Sequence, residues 1–98
     1  MIETIDVDPG ELLLPPARRS GADPVKLSRQ IAQFADRFDG MPPLFVYRCG
    51  DGRLMIFDGV TRATRSAMLQ PGQTVQVQII GELSGRAPNA LMVREALS

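Results

Sequence analysis

Ile56-Phe57-Asp58-Gly59-Val60-Thr61-Arg62-Ala63-Thr64-Arg65 carries an apolar strand into an Asp-Gly turn and straight on into a helix start. Such a strand–turn–helix junction can hold an anion. The first backbone N–H groups of a helix have no intrahelical partner, and the helix dipole adds partial positive charge there. Gly59 lets a phosphate approach the backbone closely, and Arg62 offers a fork of donors to the same oxygens. Thr61 can add a hydroxyl, and Val60 contributes its backbone.

The flanking sequence supplies the remaining elements. Ile2, Ile5 and Val7 begin a short strand ended by Asp8-Pro9-Gly10. Leu12-Leu13-Leu14 is a brief apolar run stopped by Pro15-Pro16, and Ala17 to Gly21 forms a basic loop. Asp23-Pro24 opens a helix, with Asp23 as N-cap. Leu27, Ile31, Phe34, Ala35 and Phe38 form its apolar stripe, and Gly40 with Pro42-Pro43 ends it. Leu44 to Tyr47 and Leu54 to Phe57 read as strands joined by an Asp51-Gly52 hairpin turn.

A helix from Val60 to Leu69 follows, and then an alternating strand, Thr74 to Ile79. Gly81 to Pro88 reads as a loop, and Asn89 as the cap of a last helix, Ala90 to Leu97. The order β–α–β–β–α–β–(α) predicts one α+β domain over 1–98, with packed helices on a small mixed or antiparallel sheet.

A chain of 98 residues allows one domain with a real core and little stability to spare. No stretch is apolar for long enough to span a membrane. The start, Met1 to Asp6, lacks the basic and apolar regions of a signal peptide, so the expected location is the cytoplasm. Secretion as part of a larger toxin polypeptide is the alternative. The formal net charge is zero, which argues against a strongly basic nucleic-acid binder.

The basic set is ten Arg and one Lys, Lys26. A GC-rich genome explains that bias more simply than selection for phosphate recognition. The chain has no His, which removes the commonest general base and metal ligand. Cys49 is the single cysteine, and with no activating partner it reads as structural. Met41, Met55, Met68 and Met92 read as core filler.

Each candidate has a plain reading beside the functional one. Asp58 is either the helix N-cap, the favoured reading, or a catalytic acid or metal ligand. Arg62 is the expected anion contact. Arg65, three residues on, shares its helix face and reads either as a second phosphate ligand or, slightly favoured, as a solvated surface arginine. Arg18 and Arg19 matter only if the fold brings their loop beside Gly59. No carboxylate cluster marks a metal site, so the expected metal ligands are none. The cofactor is not identified by the sequence, and Mg²⁺ is the candidate it leaves open.

The pattern as a whole resembles the ParB/sulfiredoxin superfamily over about Ile2 to Ile80. Gly59-Val60-Thr61-Arg62 sits where ParB N-terminal domains have Gly-Glu-Arg-Arg and sulfiredoxins have Gly-Cys-His-Arg. In both, the glycine and final arginine help to bind nucleotide phosphates at a helix start. Asp58 before the glycine matches ParB-like nuclease domains with Asp-Gly-x-x-Arg. Arg18 or Arg19 falls near the first of the arginines typical of ParB domains. The departures are informative. Sulfiredoxin's catalytic Cys is Val60 here, which argues against sulfinic acid reduction. The Glu and first Arg of the ParB motif are Val60 and Thr61, which removes residues used for CTP hydrolysis.

The resemblance therefore implies a phosphate pocket for a nucleotide or nucleic acid. Three functions stay open on the sequence. One is a nuclease or phosphodiesterase with Arg62 as clamp and Asp58 as base or metal ligand. Another is a non-catalytic, accessory or regulatory module that binds a nucleotide, a nucleic acid or a protein partner. The third is an NTP-hydrolysing enzyme.

Overall fold

The computed structural model describes residues 2–35, 37–84 and 89–97. Strand β1 (Glu3–Val7) is followed by two single 3-10 turns, Pro9–Glu11 and Pro16–Arg18. Helix α1 (Pro24–Phe34), strands β2 (Leu44–Arg48) and β3 (Leu54–Asp58), helix α2 (Val60–Leu69), strand β4 (Val75–Glu82) and helix α3 (Val93–Ala96) complete the order. The four strands form one mixed sheet in the order β1-β4-β2-β3. β1 pairs antiparallel with β4, β2 antiparallel with β3, and β2 parallel with β4. The expected α+β class with a small mixed sheet is therefore what the chain adopts.

Strand alternation sorts the residues between the two faces of the sheet. Leu44, Val46, Ile56, Val77 and Ile79 are buried in one core with Val60 and Ala63 of α2 and Val93 of α3. Phe45, Tyr47 and Phe57 alternate to the other face, where Phe57 stays exposed. The β2–β3 hairpin follows from local chemistry. Gly52 takes φ +89°, and the Asp51 carboxylate accepts from the Arg53 N–H at 3.1 Å.

Leu12-Leu13-Leu14 does more than the apolar run suggested. The Leu13 N–H donates to Leu54 O at 2.9 Å, and the Ile56 N–H donates to Leu13 O at 3.0 Å. On the other side the Leu14 N–H donates to Leu91 O and the Val93 N–H to Leu12 O, both at 2.9 Å. This segment stitches the outer edge of β3 to the C-terminal segment, and all three leucines are buried. Leu12 and Leu14 enter the main core, and Leu13 packs with Cys49 and Met55 in a second cluster. The route also delivers Pro15–Arg18 to the start of α2.

Several expectations are corrected. α1 ends at Phe34, well before Gly40. Ala35 turns to φ +47°, its N–H still donating to Ile31 O. Phe38 continues the apolar spacing but lies outside the helix, which has already ended at Phe34, and its ring covers the Arg65 guanidinium. β4 runs on through Gly81 and Glu82, since both pair with β2, so the loop starts later than expected. Residues 85–88 of that loop lie outside the described residues. α3 starts at Val93 rather than Ala90. Its cap position is Met92, whose N–H donates to the Glu95 carboxylate at 2.8 Å, and not Asn89. Met55 is core, but Met68 is exposed on α2.

The Asp23 cap is as expected. One carboxylate oxygen accepts from the Val25 N–H at 2.9 Å and from the Lys26 N–H at 3.5 Å. The bond to Val25 chiefly holds the Asp23 carboxyl below its usual range. A depressed folded-state pKa means stabilisation present above the unfolded pKa and lost as pH falls through the folded one. Asp23→Ala should therefore lower the melting temperature at neutral pH. The gap to wild type should close in acid, and a gap independent of pH would contradict the charged cap.

Candidate functional site

The backbone between β3 and α2 turns at Gly59, which takes φ +114°. A Cβ at this position would lie 2.5 Å from Leu44 Cδ2, a buried core atom. Glycine is required twice here, by the left-handed backbone and by the close packing. This geometry corrects the reading of Asp58 as the cap. The residue before the first helical position is Gly59, which has no side chain to accept, and α2 starts without a side-chain cap. Asp58 is instead the last residue of β3. Its exposed carboxylate stands 3.5 Å from Arg62 Nη2, an i,i+4 pair. The first-turn N–H groups of Val60, Thr61 and Arg62 therefore have no carboxylate folded over them.

The uncapped end opens into a cleft of about 900 Å³. Asp58, Gly59, Val60, Thr61 and Arg62 form one wall. The turn carrying Arg18 forms another, and Lys26 and Gln30, one turn apart on α1, a third. The Leu12–Leu14 stitch thus brings the Arg18 loop beside Gly59. Arg19 goes elsewhere, to a separate depression with Leu14, Pro16 and Asn89 to Leu91. Tyr47, Phe57 and Leu83 also line the cleft. The Tyr47 and Phe57 rings meet edge to face at 5.4 Å between centroids.

Arg62 is held in place. Its Nη1 donates to Pro42 O at 3.0 Å and to Pro43 O at 3.3 Å, and its side chain is 17% exposed. Two carbonyls orient the guanidinium, and the exposed Asp58 carboxylate is its ion-pair partner.

Arg65 is not the solvated arginine that the sequence favoured. It is only 2% exposed and does not line the cleft. Nε donates to Gln30 Oε1 at 3.2 Å, and Nη1 donates to Ala35 O at 2.9 Å and Arg37 O at 3.0 Å. The Phe38 ring centroid lies 4.2 Å from its guanidinium carbon and that of Phe34 5.3 Å. Burial pushes the guanidinium pKa down. Its donors are turned to backbone and Gln30 acceptors, not to the cleft.

Cys49 is buried, and its thiol pKa is raised by that burial and then by the nearby Asp51, so nothing there activates it. Among the described residues no three His, Cys, Asp or Glu side chains gather into a metal-binding group. None of the described helices is long and apolar enough to cross a membrane.

Lys26, Gln30, Tyr47, Phe57 and Leu83 are cleft residues that sequence reasoning missed. The i,i+4 spacing of Lys26 and Gln30 was a usable signal for one of these walls. The aromatic lining depends on strand register and had no local signal. No protein-family model matches this chain, and no curated protein matches its sequence.

Gly59→Ala should cost about 1–3 kcal/mol from the positive φ alone, before the Leu44 contact is relieved. Urea unfolding measures this. A wild-type midpoint and slope would contradict the turn geometry.

Proposed function

We propose that this chain is a ParB/sulfiredoxin-like domain that binds a phosphate-bearing ligand at the start of α2. The observation that carries the reading is the uncapped α2 N-terminus at Gly59, flanked by the Arg62 guanidinium and facing Arg18 and Lys26 across one cleft. Helix N-terminal amides and an arginine fork are complementary to phosphate oxygens. The cleft volume is within the usual range for small-molecule sites. Tyr47, Phe57 and Leu83 give it an apolar lining, which suits a nucleotide base better than inorganic phosphate alone.

Binding is the function proposed, with Arg62 as the clamp. Phosphodiester hydrolysis would ask Asp58 to serve as base or metal ligand. Its nearest cationic partner is Arg62, and a phosphate-held Mg²⁺ would compete with that pair. Among the described residues Asp58 is the carboxylate that lines the cleft, so hydrolysis is kept as an addition to binding and not as part of it.

Thermal unfolding with ATP, CTP and a short single-stranded oligonucleotide, each with and without Mg²⁺, tests the proposal when products are analysed in parallel. A ligand specific to the native state raises the melting temperature. Folded Arg62→Ala should bind the stabilising ligand about 10- to 150-fold more weakly, as loss of a charge-assisted contact of ~1.5–3 kcal/mol requires. Product formation would add a phosphodiesterase or NTPase activity to the binding site. Absence of both stabilisation and product would contradict the phosphate reading.

A further inference from the structure

Arg62 and Arg65 project from one face of α2, and both grip the connection from α1 to β2. Arg65 takes its first part. The Ala35 and Arg37 carbonyls accept from Nη1, Met41 Sδ lies 3.6 Å from Nη2, and the Phe38 ring covers the guanidinium. A buried charged group is tolerated only when its donors are satisfied, so this wrapping is fixed by the cost of undoing it.

The chain leaves Met41 directly into Pro42-Pro43, whose carbonyls accept from Arg62. Prolines have no N–H with which to anchor themselves, so their carbonyls point where the flanking residues put them. On one flank is the Arg65 wrapping, and on the other is Leu44, fully buried in β2. Arg62 would otherwise be a long side chain whose other close partner is the exposed Asp58.

We propose that Arg65 is a positioning residue for the cleft: it gathers the α1–β2 connection so that the Pro42 and Pro43 carbonyls aim the Arg62 guanidinium at the start of α2. This rests on the phosphate reading for its consequence, though not for its geometry. Gln30 extends the link, since it accepts from Arg65 and also lines the cleft. The ligand affinity of an exposed cleft is thereby set from a residue that never meets the ligand.

Arg65→Lys keeps the charge and loses the fork. Two readouts test it, the Arg62 Nη1–H resonance without ligand in the wild-type background and the affinity for pyrophosphate in both the wild-type and Arg62→Ala backgrounds. The wild-type Arg62 resonance should be resolved and slow to exchange, and in Arg65→Lys it should broaden into solvent exchange. Pyrophosphate affinity should fall about tenfold, the value of one hydrogen bond to a charged group. The loss should vanish in the Arg62→Ala background.

An unchanged Arg62 resonance in folded Arg65→Lys, or an equal affinity loss in both backgrounds, would overturn the proposal. Should Arg65→Lys not fold, Phe38→Ala loosens the same wrapping and takes the same readouts. A wild-type protein that ignores pyrophosphate would sink the phosphate reading, and the Arg62 resonance would still decide the positioning.

Discussion

The backbone at Gly59 passes through a left-handed conformation while lying against the buried side chain of Leu44. The chain can leave β3 and enter α2 in so few residues only because no Cβ is present there. The same turn sets the cap position on a residue with no side-chain acceptor, and the first residues of α2 line the cleft. A Ser or Asp here could not serve as an ordinary cap, because its Cβ would meet Leu44 and the backbone is left-handed. The site therefore originates in the packing constraint that also joins the sheet to its helix.

Two long-range devices build the walls around that turn. The Leu12–Leu14 segment borrows backbone groups from β3 on one side and from the C-terminal segment on the other. It closes part of the β3 edge, which as an unpaired strand edge would invite association, and it carries the Arg18 turn to the helix start. The two arginines of α2 hold the opposite wall. Arg65 gives up exposure to organise a loop, and Arg62 uses that loop to stay beside the helix start. Both guanidiniums donate to loop carbonyls, but Arg65 is enclosed under the Phe34 and Phe38 rings, whereas Arg62 also lines the cleft.

What was legible in the sequence was whatever local chemistry controls. Asp23-Pro24 starts α1, Asp51-Gly52 turns the hairpin, and Val60 to Leu69 is α2 from end to end. Gly59 was legible as the turn, but Asp58 misled, because an acidic residue near a helix start is usually its cap. Here the positive φ of Gly59 shifts the cap by one residue. The three consecutive leucines have no period, and their partners Leu54, Leu91 and Val93 are distant in sequence. Arg65 was illegible because its acceptors are mostly loop carbonyls, which leave no mark on composition. Phe38 keeps helical spacing although the helix has ended, and its ring packs on the Arg65 guanidinium, a contact that periodicity does not reveal. Arg18 and Arg19 could not be separated without knowing which side of the turn faces α2.

Backbone amide chemical shifts during a pyrophosphate titration test whether the start of α2 is an anion site made of its own amides and Arg62. Saturable shifts are expected, largest at Gly59, Val60, Thr61 and Arg62, with smaller ones at Arg18 and Lys26. Shifts centred elsewhere, for example around Arg19 and Asn89, or none at millimolar pyrophosphate, would contradict it.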